Sequence, residues 1–106
     1  MNVPTEHMLF LAAGLFAIGV LGFIVRRNVI VVLMSVELML NATIVTFLAA
    51  SRMHSTPGAP DLQGPVFSIF VIAVAAAEAA VGLALIIALY RLKQSVDADA
   101  LSELKG

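Results

Sequence analysis

Two carboxylic acids sit where carboxylic acids are costly. Glu37 lies in VLMSVELMLNATI and Glu78 in FVIAVAAAEAAVGLAL, each the only ionisable residue of a long apolar stretch. A carboxylate at membrane depth costs on the order of 3 kcal/mol on insertion scales, so two in one short chain point to a function that uses them, and proton or ion handling is the first such function. Desolvation favours the neutral form of a carboxyl group, and no Lys or Arg lies inside any apolar run to counter it. The expectation is two groups that hold and release protons. Asn41, one helical turn from Glu37, is placed to offer an amide to that carboxyl, whereas the residues on Glu78's own face are Val74, Ala75, Val81 and Gly82. Gly82, lacking a side chain, is a candidate for leaving room for water or for a rotamer swing of Glu78. The plain alternative is that each glutamate is an assembly contact, paired with a basic residue of another subunit. Two such groups at similar depth weaken that alternative.

The elements that must position them are three apolar runs, about 8–25, 29–50 and 66–90, each close to the ~20 residues needed to cross ~30 Å of hydrocarbon as a helix. None shows the period-2 alternation of barrel strands, so the fold class is an all-α membrane protein with three transmembrane helices forming a single membrane domain over 1–106. The leader MNVPTEH carries no Lys or Arg, and the first run is expected to be retained rather than cleaved as a signal peptide. Arg26, Arg27 and Asn28 alone join the first two runs, which forces an antiparallel hairpin. The second connection, Ser51 to Pro65, is rich in Pro and Gly and reads as a surface loop. Arg26 and Arg27 fall on the same side as Arg91, Lys93 and Lys105, with Arg52 alone opposite. The positive-inside rule then gives an N-out, C-in topology with a cytoplasmic tail over 91–106. That tail reads as a solvated end in preference to a docking segment.

Counted from the cytoplasmic span ends, Glu37 is ~12 Å deep and Glu78 ~18 Å deep at helical rise. Helices packed side by side would let the carboxyls be linked directly or through one or two waters.

Composition narrows the chemistry further. With 61% hydrophobic and 12% charged residues and a mean hydropathy of +1.06, the chain belongs in a bilayer. It has no cysteine, which excludes disulfides, thiolate metal sites and iron–sulfur ligation. His7 and His54 lie outside the apolar runs and share no metal-ligand spacing. Redox chemistry is therefore not expected on this chain alone, and its few scattered basic residues cannot track a nucleic acid. Ala76, Ala80, Ala84 and Ala88, with Ala73 and Ala77 beside them, form a smooth stripe on the third run, and Gly14, Gly19 and Gly22 a looser one on the first. Both read as generic helix-packing faces. Three helices enclose too little volume to hydrate two glutamates, which implies an obligate subunit of a larger membrane complex.

The strings RRNVIVVLMSVELMLNA and IFVIAVAAAEAAVGLALIIALYR closely resemble the K-subunit family of the proton-pumping NADH:quinone oxidoreductase of respiratory complex I, and the carboxyl end LSELKG is of the kind seen in its bacterial members. The resemblance covers nearly the whole chain. It implies that Glu37 and Glu78 are proton-relay carboxylates, with Asn41, Arg26, Arg27 and Gly82 in supporting positions, and that no catalytic or metal-binding residue lies on this chain. The implied partners are the antiporter-like and quinone-site-side subunits of the membrane arm. NADH, FMN, iron–sulfur clusters and quinone would be used on other subunits, in a bacterial inner membrane. Many members carry a second Asn after Asn41, where this chain has Thr43-Ile44-Val45-Thr46. A small subunit of a multisubunit cation/proton antiporter is the nearest alternative, and its second-span motif generally lacks the glutamate of SVELMLN. A rotor-ring proteolipid would have two helices and one carboxylate, and a small multidrug exporter four spans.

Overall fold

A computed structural model describes residues 3–93 and 97–98. Its three helices are α1 (Thr5–Val25), α2 (Val29–His54) and α3 (Gln63–Lys93), each long and apolar enough to cross a membrane. The helices run past the apolar stretches at four of their six ends, because the flanking polar residues do not interrupt backbone hydrogen bonding. Between α1 and α2, Arg26 is extended, with its N–H still bonded to the Gly22 carbonyl, and the Asn28 side chain caps α2 by accepting from the Ile30 N–H at 2.9 Å. The three-residue connection read from sequence is the observed one.

The second connection is shorter than its Pro and Gly content indicates. Helix α2 continues through Arg52 to His54, and α3 begins at Gln63 with Pro65 in its first turn, where a missing N–H costs no helical bond. Within the connection, Thr56 and Ala59 exchange both backbone hydrogen bonds around Pro57-Gly58. Gly58 has φ +80°, the glycine position of a type II turn after proline. Ser51 donates its hydroxyl to the Asp61 carbonyl, Ser55 accepts from the Asp61 N–H at 2.9 Å, and the Asp61 carboxylate accepts from the Gln63 N–H at 3.0 Å. This loop is a polar clamp on the start of α3.

Helix α2 is central: it packs on one side against α1 and on the other against α3, and α1 and α3 do not pack together. The α1 contact is set by glycine. A β-carbon at Gly19 would lie 2.7 Å from Met39 Cγ and 2.9 Å from the Ser35 carbonyl oxygen, and one at Gly22 would strike the Ser35 hydroxyl. Gly14 meets nothing, so only two of the three glycines serve the contact. The α3 contact also uses small residues. Gly64 lies against Ser51 and the Phe47 carbonyl, Phe67 stacks on Phe47 with ring centroids 5.6 Å apart, and Gly82 lies against Leu33. The alanine stripe is not that contact: Ala73, Ala76, Ala77, Ala80, Ala84 and Ala88 are all exposed on the opposite face of α3. Of the tail over 91–106, residues 94–96 and 99–106 lie outside the described residues; Arg91, Leu92, Lys93 and Asp97 are exposed. Asp97 pairs with Asn28, and Ala98 donates its N–H to the Arg27 carbonyl at 2.9 Å.

Candidate functional site

The register between α2 and α3 fixes where the two glutamates stand. Leu33 faces Gly82 and Ser51 faces Gly64, a separation of 18 residues forward on α2 and 18 backward on α3, so the antiparallel register is constant along the interface. One turn from Leu33 is Glu37, and one turn back from Gly82 is Glu78. Those steps go the same way along the bundle, so the carboxyl-bearing residues are level. A step in the other direction makes Val29 level with Ile86, which leaves Tyr90 overhanging the start of α2 by four residues, about 6 Å. The apparent difference in depth between the glutamates is that overhang.

Level position does not mean like surroundings. Glu37 shares the α3-facing side of α2 with Leu33 and is half-buried; its Oε1 is buried and makes no hydrogen bond to any described residue. Asn41 is exposed and leaves that oxygen unbonded. Ser35, on the α1 side, donates to the Val31 carbonyl at 2.8 Å and is likewise not a partner. Glu78 sits on the shoulder of the α2-facing stripe of α3, exposed on this chain alone, in a hollow formed with Ala77, Val81, Gly82 and Leu85. Two carboxyls thus stand at one level across a single helix interface, one with an unbonded buried oxygen and one open to the outside of the bundle.

Gly82 lines the hollow that holds Glu78 and also meets α2. Its missing side chain is replaced by the tip of Leu33, whose methyl carbons would lie 3.1 and 3.2 Å from a β-carbon at position 82. Leu33 is the residue the sequence reading missed. Its signal was present, four residues before Glu37 as Gly82 is four after Glu78, and became legible only with the register. Arg26 and Arg27 are exposed in the first connection, at the bundle end where α3 finishes. Among the described residues no group of three or more His, Asp or Glu side chains is placed to hold a metal ion.

The family model described as NADH-ubiquinone/plastoquinone oxidoreductase chain 4L matches residues 7–106. The chain belongs to this family. Chain 4L relatives named NADH-quinone oxidoreductase subunit K match over almost their full length. The Sorangium cellulosum protein is 51% identical over 98 residues, covering 92% of this chain and 91% of its own. The Akkermansia muciniphila protein is 46% identical, with 97% and 98% covered, and a Bacillus anthracis protein is 49% identical, with 99% and 98% covered. Membership of the chain 4L family agrees with three membrane-length helices and places the chain in an oxidoreductase of many subunits.

Proposed function

We propose that this chain is a membrane-arm subunit of a proton-translocating NADH-quinone oxidoreductase in which Glu37 and Glu78 relay protons between neighbouring subunits. The observation that carries this reading is the pairing of two carboxyls at one level on adjacent membrane-length helices, one with a buried oxygen that no described residue bonds. An unbonded carboxyl oxygen in an apolar interface is costly to keep, and water or a neighbour's polar group relieves that cost while forming a proton connection. Glu78, exposed at the same level, faces the side from which such a neighbour approaches.

In this reading the chain supplies proton carriers and no redox group. NADH, FMN, iron–sulfur clusters and quinone belong to other subunits, in keeping with a sequence without cysteine. A redox event elsewhere changes the field and hydration around Glu37 and Glu78, and each carboxyl takes a proton from one side and yields it to the other. The amino terminus is outside and the first connection and tail are cytoplasmic, as the basic residues at Arg26, Arg27, Arg91 and Lys93 favour.

Glu37→Gln tests the relay in the intact complex, because glutamine keeps the shape of the side chain and cannot release a proton. The expected result is an assembled complex with greatly reduced proton translocation and coupled quinone reduction. Wild-type coupled activity would overturn the relay role, and loss of assembly would favour a structural contact.

A further inference from the structure

An apolar groove of about 320 Å³ runs between α2 and α3 from Val29 and Leu92, at the Arg26–Arg27 end of the bundle, inward to Val36 and Gly82. Every residue lining it is apolar. At its inner end, Gly82 and Leu85 line both the groove and the hollow that holds Glu78. The two spaces therefore adjoin along one edge of α3. Leu33 stands at the junction, with its side chain tip in the position that a side chain at 82 would otherwise fill. The contact is tight because residue 82 is a glycine, and it is movable because its other half is the far end of a flexible leucine.

We propose that this groove is the proton entry to Glu78 and that Leu33, seated on Gly82, is its hydrophobic gate. The proposal rests on the relay reading of Glu78. Wholly apolar constrictions exclude water until they widen, so a leucine seated on Gly82 blocks a water chain without any charged group. Withdrawal of the Leu33 side chain joins groove and hollow. A water chain then passes a proton to the Glu78 carboxylate and is replenished from the aqueous phase at the Arg26–Arg27 end. Return of Leu33 isolates the protonated carboxyl from the side that loaded it, which any relay that moves protons in one direction requires.

The test uses the whole complex in sealed liposomes. Leu33→Asn and the milder Leu33→Ala are expected to raise passive proton leak several-fold and to lower the protons delivered per electron pair, and Glu78→Gln in the same chain is expected to abolish the added leak. A leak equal to wild type, or an added leak that persists with Glu78→Gln, would overturn the gate. Relay and gate fail separately: lost pumping in Glu37→Gln together with no leak in the Leu33 variants sinks the gate alone. Should those variants not assemble, Leu33→Cys decides, because the chain has no other cysteine and thiol modification can be counted by the mass of this subunit. Faster modification during turnover than at rest supports the gate, and equal rates refute it.

Discussion

The methyl carbons of Leu33 lie 3.1 and 3.2 Å from where a β-carbon on Gly82 would stand, and this contact, in register with Ser51 on Gly64, makes Glu37 and Glu78 level one turn further on. A glycine in mid-helix permits close approach of a neighbour. Here it marks the register of the two helices that bear the carboxyls.

The register is open to a direct check by cross-linking. Ile44→Cys with Val71→Cys, level in this register and both half-buried, is expected to form a disulfide on mild oxidation. Ser51→Cys with Val71→Cys, about two turns further along α2, is expected to stay reduced. The mobility of the subunit on a denaturing gel distinguishes the two.

The glycines of α1 are expected to differ in tolerance. Gly19→Ala forces Met39 or the Ser35 backbone to shift, an overpacking cost of about 1–3 kcal/mol, whereas Gly14→Ala meets nothing. The yield of assembled subunit after mild heating should fall for the first variant and not for the second.

In the second connection, Gly58→Ala places a β-carbon on a backbone with φ +80°, at a cost of about 1–2 kcal/mol. Gly58→Asn, a residue more tolerant of that conformation, should lose less. Proteolytic sensitivity of the 55–62 loop in the purified complex provides the readout.

Orientation is testable because the chain lacks cysteine. Thr56→Cys is expected to react with a membrane-impermeant thiol reagent from the outer face of intact cells, and Arg26→Cys only after permeabilisation. Arg26→Gln and Arg27→Gln should lower coupled activity less than either glutamate variant, since the arginines lie at the bundle end and not at carboxyl depth.

Much of this fold was legible in the sequence because in a bilayer the backbone must satisfy itself, so apolar length alone called the three helices and their order. The Arg26–Asn28 connection was also legible, being too short for anything but a hairpin. Helix ends at His54 and Gln63 were not, because polar residues at a membrane surface continue a helix without any hydropathy signal. The alanine stripe left its partner open for a related reason: small residues mark a face for close packing without saying which neighbour packs there, and α2 meets the Gly64–Ser68–Gly82 side. The carboxyls were identified by type alone, but their common level was hidden by the overhang of α3 past Val29. Contacts between the helices, Leu33 on Gly82 and Ser51 on Gly64, reveal it.

The central claim is that Glu37 and Glu78, level across one interface, serve a single proton path. The most direct test is a double-variant cycle of proton translocation with Glu37→Gln, Glu78→Gln and both together in the assembled complex. Each single variant is expected to lower coupled proton translocation on the order of tenfold or more, as for loss of a proton-transferring side chain, and the pair to be no worse than the poorer single. Losses that multiply in the double variant would contradict a shared path and assign the two glutamates to separate routes.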